Sequence, residues 1–287
     1  MSNFTLRDIF LHRQVPTIPA VAKSLFNQLQ GPKISFSRFS QTVRFDPGLV
    51  CALISKANDK LDRSREVMSV QNAILAVGPK DALQILKEVS TPELIQPGSK
   101  YREMVESSWV SCITQAVAAE SLQTVGVFDK ASVMFLVGLI SDIGVLALMQ
   151  TYPDVYYDQV WSKSRSHKDI QLFETEVFGF SHVTVGHELA RSWKLGETFS
   201  AAILKHHHEG NGDLYCVTSQ CASRMGDIVD FGDVDGNKRN DLNKQLNTYF
   251  QLNEDEAGQL LSTAESRRKA IIDSLGLSMK VGPGLAV

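Results

Sequence analysis

From Ala131 to Gln150 the chain is almost wholly apolar, and the only charge in that span is Asp142, which follows Ser141. A stretch this long and this apolar must lie in a membrane or in a protein core. The carboxylate near its middle argues for the core. A buried carboxylate is costly unless it meets a cation, a hydrogen-bond donor or water. A histidine cluster follows downstream, His182, His187, His206, His207 and His208. If they converge on Asp142, the fold encloses a polar site.

The rest of the composition fits a cored, water-facing protein. The chain has 287 residues, 43% of them hydrophobic, enough for one large domain or two packed subdomains. A net charge of -3 argues against a dedicated nucleic-acid binder. Cys51, Cys112, Cys216 and Cys221 form no CxxC pair and read as reduced, buried thiols. The N-terminus is too polar for a signal peptide. The expectation is therefore a cytoplasmic protein with no membrane segment and no nucleic-acid partner.

Helical spacing recurs along the chain, and no stretch alternates with period two for long enough to make a strand. The pattern predicts helices over 17–30 and around 36–43. Asp46-Pro47 caps and opens a third, closed by Asn58, and Ser69 caps a fourth that stops at Gly78. Two prolines and a glycine within 91–100 mark a subdomain boundary. Trp109, Cys112, Ile113, Ala116 and Val117 form the next helix face, Leu122 to Asp129 a turn, and Gln159 to Phe178 a polar helical segment. Helices follow from Val183, over 214–231 and from Leu246 to Leu275, the last with a break near Asn253. Gly232 to Asn243 reads as an exposed loop, and the tail from Ser278 as frayed. The Arg63–Glu66 and Arg267-Arg268-Lys269 runs read as solvated surface, as do His12, His167, His187 and His208. The resulting organisation is an N-terminal helical subdomain (1–95), a helical core (96–231) and a C-terminal extension (232–287).

The order of the motifs resembles the HDOD family. Ile18-Pro19-Ala20-Val21-Ala22, Asp46-Pro47-Gly48-Leu49, Lys56-Ala57-Asn58 and Ser69-Val70-Gln71-Asn72-Ala73-Ile74 match its N-terminal half. Gly-Leu-Ile-Ser-Asp-Ile-Gly from Gly138, Glu174 to Gly186 and Ala202 to His207 match its second half. The resemblance implies an all-α fold with an HD-like helical core. It implies kinship with HD metal-dependent phosphohydrolases and a bacterial signalling or output role. Position by position, Ser111 stands where HD enzymes carry their first histidine, Ser141-Asp142 where they carry His-Asp, and Ser223 near their final aspartate. His182, His206 and His207 match histidines that some HD branches use for a second metal. After Glu209 the chain lacks the Gly-Tyr-Pro motif of cyclic-dinucleotide phosphodiesterases.

Serine hydroxyls neither neutralise a cation nor donate strongly, so hydrolysis at the ancestral site is not expected. His182, His206 and His207 with Asp142 remain a possible ligand set for zinc, manganese or iron. The alternative is that they hydrogen-bond to Asp142, to backbone carbonyls and to one another, tying helices together. Two functions follow. One is a regulatory module that contacts a signalling protein or a small ligand. The other is a metal-dependent phosphohydrolase acting on a nucleotide or phosphate ester.

Overall fold

The computed structural model describes residues 4–12, 15–29, 35–61, 66–88, 96, 98–125, 131–208, 212–233 and 236–279. Every described element is helical. In chain order they are α1 (Leu6–His12), α2 (Pro19–Leu29), α3 (Phe36–Val43), α4 (Pro47–Lys60), α5 (Val70–Val77), α6 (Pro79–Glu88), α7 (Arg102–Val125), α8 (Ala131–Ile140), α9 (Ile143–Thr151), α10 (Pro153–Val155), α11 (His167–Phe178), α12 (His182–Ser192), α13 (Glu197–Lys205), α14 (Leu214–Phe231), α15 (Asn237–Phe250) and α16 (Glu254–Leu275). The all-α architecture expected from the sequence is thus present among the described residues.

Local chemistry sets the boundaries. Asp46 caps α4 through Leu49 N–H at 2.8 Å, and its second oxygen takes Ile18 N–H at 2.6 Å, fixing the entry to α2. Burial pushes this carboxyl up to about 7 despite those donors. Ser69 caps α5, and Gly78 ends it at φ +80°. Asn253 and Glu256 form a reciprocal capping box that starts α16 after the expected break.

The central apolar run forms α8 and α9, helices α7, α12, α13 and α14 pack around it, and α16 lies along α7. The stretch Ser132–Thr151 is long and apolar enough to cross a membrane, yet 94% of its most apolar window is buried inside the protein. Trp109 is fully buried and donates its indole N–H to the Pro16 carbonyl at 3.0 Å, pinning the segment before α2 against α7. All four cysteines are free and buried.

Several sequence expectations need correction. Asn58 does not close α4, which continues to Lys60. Its amide instead donates to the Lys194 carbonyl at 2.7 Å and accepts from Val67 N–H at 3.1 Å, joining α4 to the end of α12. Helix α7 runs on to Val125, through the start of the expected turn at Leu122. The segment from Gln159 is a π turn and a 3-10 turn before α11, not one helix. The expected loop 232–243 contains the first turns of α15. Arg268 is not at the surface: it is 5% exposed and pairs with Asp230 at 2.9 Å. Arg63 and the tail beyond Met279 lie outside the described residues, whereas Glu66 accepts from Glu197 N–H at 2.9 Å.

Candidate functional site

The break between α8 and α9 falls at Ser141-Asp142, so the carboxylate stands at a helix start inside the core. Gly144, two residues on, lets α9 approach α12 closely: a Cβ there would collide with the His182 carbonyl oxygen and lie 2.8 Å from Gly186 N. That contact brings His182, first residue of α12, beside Asp142. The end of α13 supplies the other two: His206 is its C-cap and His207 lies in the turn that follows.

These four residues converge. His206 Nε2 is 3.1 Å and His182 Nε2 3.5 Å from Asp142 Oδ1, and the Nε2 atoms of His182 and His207 are 3.1 Å apart. One ligand atom from each of the four residues fits within 4.8 Å of the others. The outer ring nitrogens are also engaged. His182 Nδ1 meets Glu174 Oε2 at 2.6 Å, His206 Nδ1 meets the Ile203 carbonyl at 2.6 Å, and His207 Nδ1 meets Ser223 Oγ at 3.2 Å. Glu174 is fully buried and also takes His182 N–H at 2.7 Å and Tyr156 O–H at 2.6 Å. Gln115 Nε2 donates to Asp142 Oδ2.

Burial alone would raise the Asp142 pKa, but the hydrogen bond and charge of His206, with His182 and His167 behind it, hold it well below the carboxylate range. For His182, burial disfavours the charge, yet Glu174 and then Asp142 outweigh it and raise the pKa above 6.5. For His207, burial, then the like charges of His206 and His182, outweigh the pull of Asp142 and press the pKa well below the ordinary value. A raised histidine pKa stabilises the fold below about pH 6.5, and that stability is lost as pH climbs through the folded value. In protein dialysed against a chelator, Glu174→Gln should therefore lower the His182 pKa, because burial then faces only Asp142. The gain in stability on acidification from about pH 8 to about pH 6 should shrink with it. Imidazole NMR titration alongside urea unfolding checks both.

The serine positions divide. Ser141 is fully buried and turned away from the cluster, donating to the Val137 carbonyl at 2.8 Å and meeting Ser219 Oγ at 2.9 Å. Ser111 meets His167 Nε2 at 3.1 Å, and Ser223 supports His207. His167, expected in solvent, is buried at the start of α11 and lies edge-on to Phe231. His187, also expected in solvent, is half-buried, with Nδ1 3.0 Å from Ser200 Oγ, while His208 is exposed as expected. His12's side chain is outside the described residues. Glu174, Tyr156 and Gln115 went unassigned on sequence. Their signal was the helical stripe: Glu174 is one turn from Ile170 and Phe178, and Gln115 one turn from Ser111.

A cleft of about 30 Å³ adjoins Asp142, walled by Ser111, Val145, Met149, Trp161, His167 and Phe231. That is room for about one water molecule.

The chain's relatives agree with this architecture. The HDOD domain family matches residues 15–209. Among solved structures, the MmoQ response regulator of Methylococcus capsulatus superposes with TM-score 0.68 at 22% identity, covering 87% of this chain and 98% of that one. A virulence factor from Campylobacter jejuni gives 0.62 at 14% identity over 91% and 96% of the two chains. An HDOD domain protein with unknown function from Geobacter sulfurreducens gives 0.52 at 19% identity over 94% and 98%. No curated protein matches. With an unbroken match over most of its length and a helical core of the same kind, the chain belongs to the HDOD domain family.

Proposed function

We propose that this chain is a bacterial signalling or regulatory module, cytoplasmic, which acts by binding a protein or a small ligand and does not hydrolyse phosphate esters. In this reading residues 1–95 are the N-terminal subdomain, 96–231 the HD-like core and 232–287 an extension packed upon it. The observation that carries it is the cleft beside Asp142. At about 30 Å³ between Trp161, Met149 and Phe231 it is far smaller than the pockets that enclose nucleotide-sized ligands. The chemistry points the same way. By the family resemblance Ser111 and Ser141 fall where HD enzymes hold metal ligands and Ser223 near another such position, and Ser141 spends its hydroxyl on α8 and Ser219.

The second reading, a metal-dependent phosphohydrolase, is favoured by the Asp142–His182–His206–His207 cluster. Those residues suit a divalent transition metal, whose chemistry in such a site is Lewis-acid activation of water or of a phosphoryl oxygen. A panel of nucleotides, cyclic dinucleotides and simple phosphate esters, assayed with added manganese, separates the two. Regulatory function predicts no turnover above a His206→Ala control. Turnover that His206→Ala abolishes would replace it with the hydrolase.

A further inference from the structure

We propose that the cleft between α4, α6 and the end of α12 binds a small planar aromatic anion, its ring against Trp193 and its carboxylate or phosphate on Lys56.

This cleft has the room that the space beside Asp142 lacks. It encloses about 470 Å³, against about 30 Å³ there. Pockets that hold small organic molecules run from about 300 to 1,000 Å³. Its walls come from two parts of the chain, α4 and α6 on one side and the end of α12 on the other. Seams between packed units are where ligand sites concentrate. Val15, Ala52 and Ile85 supply apolar surface, and the short side chains of Ala52 and Ser55, neighbours on one face of α4, leave the space open.

Trp193 differs from the other two tryptophans. Trp109 donates its N–H to the Pro16 carbonyl, and Trp161 stacks on Tyr157 with ring centroids 5.3 Å apart. Trp193 is only partly buried, lines the cleft, and has no ring, cation or N–H acceptor beside it among the described residues. An aromatic face left partly wet in a concave site is a surface on which another ring stacks.

Four charged side chains line the same cleft, Lys56, Asp59, Glu88 and Lys194. Lys194 pairs with Asp59 at 2.5 Å, and Glu88 accepts from Gln84 Nε2 at 2.7 Å. Lys56 makes no hydrogen bond or ion pair among the described residues. Asp81, whose carboxylate feels the Lys56 charge, is already held by Lys60 at 2.7 Å. The charge left for a ligand to meet is therefore an ammonium, which selects an anion. The wall beside the ring is fixed in advance. Lys194 stands at φ +55°, a left-handed conformation uncommon outside glycine. Asn58 Nδ2 donates to its carbonyl at 2.7 Å and Asp59 takes its ammonium, so α4 clamps the backbone next to Trp193. A wall ordered before binding spares the ligand the entropy of ordering it.

The cleft rests on the regulatory reading in one respect, that its ligand is held and not hydrolysed. The test titrates the full chain with naphthoate and with naphthyl phosphate, using naphthol and naphthylmethylammonium as the neutral and cationic counterparts. NMR follows the indole N–H signals, and Trp193→Phe identifies the Trp193 signal by its loss. The expected result is saturable movement of that signal with Kd of about 1 mM or tighter for the anions, and weaker binding of the other two. The tighter of the two anions tells whether a carboxylate or a phosphate is the group preferred. Lys56 is exposed, so Lys56→Gln keeps the fold. It should weaken the anions about 3–10-fold and leave naphthol unchanged, and Lys56→Arg should restore them. No saturation of the Trp193 signal by either anion up to about 10 mM would overturn the proposal. So would binding of the cation as tight as that of the anions, or anion affinities that Lys56→Gln leaves at the wild-type value. Release of naphthol from naphthyl phosphate, with the Trp193 signal saturating as expected, would instead sink the regulatory reading and leave the cleft standing.

Discussion

Arg268→Ala should destabilise the protein by about 3–5 kcal/mol, the largest loss expected of any substitution in the C-terminal extension. Arg268 is 5% exposed, donates Nη2–H to Asp230 Oδ1 at 2.9 Å and Nε–H to Thr114 Oγ1 at 2.6 Å. It lies on α16, Thr114 on α7 and Asp230 on α14, so a single guanidinium holds three helices. Removing it leaves a buried carboxyl whose pKa burial already raises and which the Arg268 charge helps to hold down. The cost comes from that uncompensated acid, not from lost attraction alone. Accordingly the double variant Arg268→Met with Asp230→Leu should recover most of the loss, because two packed apolar side chains need no desolvated charge. Urea midpoints of the wild type, the single and the double variant give the answer. A single variant within about 0.5 kcal/mol of wild type would mean that Arg268 is solvated after all.

Gly144→Ala should cost about 1–3 kcal/mol or more, and it should damage the histidine cluster out of proportion to that loss. Its Cβ would run into the His182 carbonyl oxygen and the Gly186 amide, both backbone atoms that cannot swing aside. Helices α9 and α12 must then part, carrying Asp142 away from His182. The control is Gly258→Ala on α16, where nothing lies within 4 Å of the new methyl. There alanine should be neutral or stabilising by up to about 1 kcal/mol. Thermal unfolding reads the stability, and Co²⁺ titration reads the cluster. Equal behaviour of the two alanine variants would show that the α9–α12 approach is looser than its geometry implies.

Much of the fold was legible because its signals are local. Pro47 after Asp46, Ser69 before Val70 and Gly78 after Val77 fix helix ends with chemistry confined to a few residues. Asp142 with His182, His206 and His207 was legible because a charge in an apolar run demands partners and histidines were the available ones. What stayed hidden depends on contacts between distant segments. Asn58 looks like a helix end until the Lys194 carbonyl is placed beside it. Arg268 looks solvated between Arg267 and Lys269. It nonetheless shares a stripe with Leu260, Ala264 and Ile272, and that periodicity could have overruled the charge. His167 and Glu174 share one face of α11 in the same way, and a lone polar residue on such a face gives no hint of which partner awaits it.

The orientation of Ser141 bears on what else could stand at that position. Its hydroxyl is sealed between the Val137 carbonyl and Ser219 with no exposed surface. A larger side chain placed at that point meets Ser219 on α14, and interiors packed to crystal density resist such enlargement. An imidazole there would require Ser219 and its surroundings to change first. The size allowed at the head of the α8–α9 break is thus set by a residue from another helix.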